Sequence, residues 1–294
     1  MSGCTLPSTH RARGFPAFAA LGGSLLLLAG CGGEDAAPPE GASTASAMSA
    51  TGAGAPEVRY GPDLQVHGGT VRTYFLMAGE ELLEVGVAID EGVMDHLPDL
   101  DDPVMMILPD GHALVEWELE MPSPNPTPFQ HATLDWNPLG HEPPGIYDTP
   151  HFDVHFYTIS SQEREGMLPT GPDFAAAAAR SPSPDFMPAG YIDPGMPPIP
   201  RMGVHLIDPT SPELHPETPE PFTRTFIYGA WDGRIIFVEP MVATDWLATR
   251  PDETIPIPVA ERYDPSGLWP GAYRIYWDGG TSQYRIALSE LGQR

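Results

Sequence analysis

Three features of this 294-residue chain predict a mainly β fold, a single β-sandwich or barrel-like domain with short helices and one long proline-rich loop. Apolar and polar residues alternate with a period of two through several segments, the signature of strands with one buried face. Turn-forming clusters such as Pro-Asp-Gly and Trp-Asp-Gly separate those segments at short intervals, as antiparallel hairpins require. Stretches with helical periodicity are few and short.

The first 30 residues contain no acid, place Arg11 and Arg13 ahead of an apolar run from Phe15 to Leu28, and lead into Cys31 through Leu-Ala-Gly. That pattern predicts a lipoprotein signal peptide over residues 1–30, cleaved before Cys31, which then carries a lipid. The apolar run is shorter than the ~20 residues a spanning helix needs. The only other cysteine, Cys4, leaves with the signal, so the mature chain has no disulfide to draw on. Residues 31–57, mostly Ala, Gly, Ser, Thr and Pro, cannot bury enough apolar surface to offset their ordering entropy and are expected to form a flexible tether. Residues 58–294 make one β-rich domain, since no second tether interrupts them.

Within that domain Thr70 to Met77 and Leu82 to Ile89 predict a first hairpin, and Asp90 to Leu97 predict no more than a short helical turn, stopped by Pro98. A second hairpin turns at Pro109-Asp110-Gly111. In its second arm Val115, Trp117, Leu119 and Met121 alternate with Glu116, Glu118 and Glu120, which reads as a core face backed by a solvated carboxylate face. His131 to Asn137 is a further strand, with His131 expected to be structural. Asp148 to Ile159 follows a turn-rich loop: His151, Asp153, His155 and Tyr157 share one face, and Phe152, Val154 and Phe156 share the other. Pro172 to Arg180, with a proline start and five alanines, predicts a short helix. Ser181 to Arg201 is a long loop rich in proline and glycine. Thr223 to Met241 and Ala272 to Leu288 predict two more hairpins.

Composition excludes several function classes. The formal charge is −26, from 40 acidic residues and 14 arginines with no lysine, and loss of the two signal arginines takes it to −28. Such a surface repels nucleic acid and anionic lipid but tolerates divalent cations. The chain has no Gly-x-Ser-x-Gly, no phosphate-binding Gly-rich loop and no lysine for Schiff-base chemistry.

The chemistry-bearing residues are four histidines and one glutamate in strand or strand-end settings: His141, His151, His155, His205 and Glu239. Imidazole and carboxylate together suit one divalent transition metal, Zn, Fe, Mn or Cu. In this reading His151, His155, His205 and Glu239 are ligands and His141 is a further imidazole or an outer partner. Asp153 and Tyr157 orient the ligands from behind. The pleat is expected to bring the imidazoles of His151 and His155 onto one ion. Two other patterns use the same residues: the first cupin motif, with its second histidine two residues late, and the His-x-Asp…His facial triad, through His151, Asp153 and His205. Against metal stands a hydrogen-bonded wall, in which these histidines form a polar network of a non-catalytic scaffold that binds a ligand or assembles.

The segments Trp136 to Tyr157, Met202 to Leu214 and Phe226 to Met241 together resemble an uncharacterised bacterial domain-of-unknown-function family of exported β-rich proteins, typified by a thermophile protein under sigma-E control. The resemblance covers roughly Val66 to Leu288. It singles out Gly140, His141, Pro143, the run Pro150 to Tyr157, Gly203, His205 and Glu239 to Met241. It implies a single domain and self-association, and carries no reaction.

Overall fold

The structure, a computed structural model, describes residues 55–108 and 111–294. The predicted leader, the lipidated Cys31 and nearly all of the tether lie outside the described residues. Those residues fall in one compact unit, Ala50–Arg294. Among them no helix is long and apolar enough to cross a membrane.

Sixteen strands and four short helices follow in chain order. The first half holds β1 (Glu57–Tyr60), β2 (Leu64–Val66), β3 (Gly69–Ala78), β4 (Glu81–Asp90), α1 (Glu91–Met94), β5 (Met106–Ile107), β6 (Ala113–Glu120), β7 (His131–Asn137), β8 (His151–Tyr157), α2 (Ser161–Glu165) and α3 (Phe174–Ala178). The second holds β9 (Val204–Leu206), β10 (Arg224–Trp231), β11 (Arg234–Ala243), α4 (Thr244–Leu247), β12 (Asp252–Pro256), β13 (Leu268–Trp269), β14 (Ala272–Asp278), β15 (Gln283–Ser289) and β16 (Gly292–Gln293). The predicted hairpins are present as β3/β4, β5/β6, β10/β11 and β14/β15. The β10/β11 turn places Asp232 and Gly233 at positive φ, the two-residue geometry whose twist matches that of paired strands.

Two seven-stranded antiparallel sheets result, one ordered β1-β3-β4-β15-β14-β12 with β2 alongside β3, the other β5-β6-β7-β8-β11-β10-β9. They form a sandwich rather than a closed barrel. One core cluster joins Val85, Val87, Ile275 and Ile286 of the first sheet to Leu134, Phe152, Val154 and Val238 of the second. The alternation along β8 explains this: Phe152, Val154 and Phe156 point inward and leave the histidine face outward.

That outward face is not a solvated one. Every residue of β7 and of β8 is buried. Loops before β8 and before β10, together with α2, lie over the second sheet and shut out water. The expectation for Glu116 is corrected accordingly. Its carboxylate takes ion pairs from Arg164 and, at 2.6 Å, from Arg201. Arg164 is itself fully buried, on α2, so a solvated glutamate face gives way here to a buried ionic cluster. Glu120 is exposed as expected.

Candidate metal centre

The register gathers the chemistry-bearing side chains on this covered face. Asp135 pairs with Asp153, Thr133 with His155 and Asn137 with His151 across β7 and β8. Phe237 pairs with Tyr157 and Met241 with Asp153 across β11 and β8, which puts Glu239 in the row of His155. His205 arrives from the sheet edge, opposite Gly229 of β10. Cross-strand partners share a face, so all of these point under the same cover.

Two glycines make the approach possible. At Gly140, φ is +70° and a Cβ would stand 2.0 Å from the Tyr147 carbonyl oxygen, so only glycine lets this loop fold back and carry His141 onto the start of β8. At Gly229, a Cβ would lie 1.9 Å from the Phe237 ring. The bare backbone there lets Phe237 lie across the sheet, wedged between the rings of His155 at 4.8 Å and His205 at 5.4 Å.

The donor atoms form two groups that could hold a metal ion: His141, His151 and Asp153, and His155, His205 and Glu239. In each, one donor atom per residue lies within 4.8 Å of the others. One carboxylate stands between two imidazoles in both. His151 Nε2 is 3.1 Å from Asp153 Oδ1, and His141 Nε2 is 3.2 Å from Asp153 Oδ2. His155 Nε2 is 3.4 Å from Glu239 Oε1, and His205 Nε2 is 3.7 Å from Glu239 Oε2. With metal bonds of about 2.1 Å, adjacent donors sit about 3.0 Å apart around an octahedral ion and about 3.4 Å apart around a tetrahedral one. Three of the four spacings, 3.1 to 3.4 Å, fall within that range, and the fourth, 3.7 Å, is slightly longer.

Tautomers strengthen the point. His151 Nδ1 is 2.6 Å from the Thr149 carbonyl oxygen and His141 Nδ1 is 2.7 Å from that of Glu142. A carbonyl only accepts, so each Nδ1 carries the proton and donates it. In a neutral ring the lone pair is then on Nε2, facing an Asp153 carboxylate that is also an acceptor. His151 Nε2 and Asp153 Oδ1 are buried, and among the described residues neither has a hydrogen-bond partner. The same holds for His155 Nε2 and Glu239 Oε2. Buried polar atoms are nearly always paired, and a cation held among these imidazoles and carboxylates would satisfy them.

Outer partners stand behind the donors. Asn137 Nδ2 donates to Asp153 Oδ2 at 2.8 Å, and His112 Nε2 lies 2.8 Å from Asn137 Oδ1. Asp135 Oδ2 is 3.3 Å behind His155 Nδ1, the carboxylate–histidine arrangement that fixes a ligand ring. Phe222 seals the cover, with its ring 5.0 Å from that of Tyr147 and 5.5 Å from that of His151.

The electrostatics follow from burial. Burial alone would lower His141 and His155, but the Asp153 carboxylate beside the first and the Glu239 carboxylate beside the second outweigh it and raise each to about 9. Burial and the neighbouring His155 charge push His205 down to about 3, leaving it neutral with a free lone pair. Glu239, buried and only partly offset by His155, rises to about 8. Asp153 stays well below the usual carboxylate range: burial opposes this, but His151 and His141 prevail.

Each sequence-derived residue therefore has a definite place. His155, His205 and Glu239 converge as expected of one ligand set. His151 does not join them, because four residues along a strand span about 13 Å. It pairs instead with His141 and with Asp153, which stands among the donors rather than behind them. Tyr157 stacks on His131 at 4.9 Å under the Arg164 guanidinium, and its hydroxyl is buried without a partner. Asp135, Asn137 and Thr133 are the residues that sequence reasoning passed over. Their signal was available, since in His131 to Asn137 every second residue is polar.

No family model, no curated protein and no solved structure matches this chain.

Proposed function

We propose that this chain is an extracytoplasmic protein, lipid-anchored through Cys31, that binds a divalent transition metal beneath the loops of its second sheet. The observation that carries this reading is the pair of Nδ1-to-carbonyl contacts at His141 and His151, which turn both Nε2 atoms onto the buried Asp153 carboxylate. Two imidazoles and a carboxylate suit Zn, Fe, Mn or Cu and leave coordination positions open. Three protein ligands with an open position are typical of catalytic ions, whereas structural zinc is closed by four. His141, with 20% of its side chain exposed, stands on the solvent side of the group. An external ligand would enter there.

A second reading, the hydrogen-bonded scaffold, has one observation in its favour: with both imidazoles charged, Asp153 would pair with each of them. Metal content separates the two. Protein purified without an affinity tag is expected to carry stoichiometric metal by elemental analysis, and a His141→Ala, His151→Ala double variant to lose the ion held at Asp153. Stripping by a chelator should lower the thermal midpoint by several degrees, since a ligand at 100 times its Kd stabilises by about 2.7 kcal/mol. Metal-free protein as isolated, unchanged in midpoint when zinc is added, would leave only the scaffold.

A further inference from the structure

We propose that His155, His205 and Glu239 hold a second divalent transition-metal ion of their own, so that the pocket is a two-ion centre built from two 2-His-1-carboxylate sites. This extends the metal reading above but rests on different atoms. Its donors are His155 Nε2, His205 Nε2 and the Glu239 carboxylate, of which His155 Nε2 and Glu239 Oε2 are buried orphans.

The donors fall into two groups rather than one. Donors bound to a single ion at about 2.1 Å can be no more than about 4.2 Å apart. Along β8 the row of Asp153 and the row of His155 are about 7 Å apart, and His151 is a further row away. Within each group, by contrast, the carboxylate stands 3.1 to 3.7 Å from each imidazole nitrogen.

The second site has its own supports. Asp135 stands 3.3 Å behind His155 Nδ1, which leaves Nε2 to face Glu239 Oε1 at 3.4 Å. Phe237, lying on Gly229, spaces the two imidazoles. His205 is at the mouth, with 18% of its side chain exposed, and gives the ion the same one-sided access that His141 gives the first. Charge balance points the same way. Asp135, Asp153 and Glu239 are all buried on this face, and among the described residues no arginine forms an ion pair with any of them. With the rings neutral as metal ligands, one divalent ion would offset two of these three negative charges and leave the third to a second ion.

The test is a Co2+ titration of chelator-stripped protein, read by native mass spectrometry and by the visible absorption of bound Co2+. Wild type is expected to bind two ions per chain. His205→Ala, at the partly exposed mouth where folding is spared, should bind one, His141→Ala should bind one, and the double variant none. Asp135→Asn keeps the shape of the side chain but weakens its hold on His155, and should reduce affinity for one of the two ions by about 10- to 100-fold. A single ion in wild type, kept by His205→Ala and lost by His141→Ala, would overturn the second site and leave the first standing. A single ion lost by either variant would overturn the two-site arrangement in favour of a shared ion. No ion in wild type would overturn both readings together.

Discussion

Both sheets of the sandwich bury charge on their outward faces, and they treat it in opposite ways. On the first sheet Glu84 is enclosed by donors: the Tyr74 and Tyr276 hydroxyls each reach Oε2 at 2.9 Å, and Arg274 Nη1 reaches Oε1 at 3.0 Å. Both oxygens are satisfied by the protein itself. On the second sheet Asp153 and Glu239 each face two imidazole nitrogens, and His151 Nε2, His155 Nε2, Asp153 Oδ1 and Glu239 Oε2 are left without a hydrogen-bond partner among the described residues. The parallel extends to the packing, because each face seats an aromatic ring on a cross-strand glycine, Tyr74 on Gly86 and Phe237 on Gly229. The architecture is shared; the difference is whether the polar atoms close on one another or leave buried donors and acceptors unpaired among the described residues. A closed network stabilises the fold, and an open one costs stability until something fills it.

The largest expected effect breaks the closed side. Glu84→Ala strands two buried tyrosine hydroxyls and removes a partner from Arg274, which should cost about 3 kcal/mol in urea denaturation. Metal stoichiometry should not change, because the two faces share no residue. Gly229→Ala is expected to be intermediate, at about 2 kcal/mol, since the Phe237 ring must move to admit a Cβ. That shift displaces the His155 and His205 rings with it, so Co2+ binding at that group should weaken in parallel with stability. A Gly229→Ala protein with unaltered Co2+ affinity would dissociate Phe237 from ligand placement.

The smallest effect belongs to the open side. In ion-free protein, Glu239→Gln should change stability by less than about 1 kcal/mol at neutral pH, because a buried carboxylate without a full set of partners is replaced by a neutral isostere. The sharper contrast lies in pH. The folded pKa of Glu239 is raised to about 8 from an ordinary 4.5, so the unfolded chain ionises first and stability falls as pH rises from about 4.5 through 8. His155 is raised from 6.5 to about 9, and its contribution, full below 6.5, is lost as pH rises through 9. Both slopes run the same way. The thermal midpoint of ion-free wild type should therefore decline between pH 6 and 9, with a shallower decline in Glu239→Gln. Tyr74, on the other face, is raised well above 10 and adds nothing in that range.

Much of the frame was legible in the sequence because period-two alternation is local. Phe152, Val154 and Phe156 against His151, Asp153 and His155 could be sorted from the sequence without any partner strand. What could not be sorted was which ligands meet. That depends on the strand order β8-β11-β10-β9, and nothing near His205 encodes that its strand lies outside the β10/β11 hairpin. Glu116 was misjudged for a related reason. Its alternation looked solvated because Arg164, which covers it, lies on α2 beyond the next two strands. His131 to Asn137 presented the opposite problem, since its alternation was visible but His131, Thr133, Asp135 and Asn137 were read singly rather than as a face.

His141 differs from the other donors in one respect: it sits on the loop folded at Gly140, whereas His151, Asp153, His155, His205 and Glu239 all sit on strands. An ion bound at Asp153 would therefore fasten that loop to the sheet as a clasp. Its departure would then be timed by how often residues 138–150 swing away, more than by the strength of any one bond. Filled and emptied molecules would differ most in how fast a protease can nick that loop.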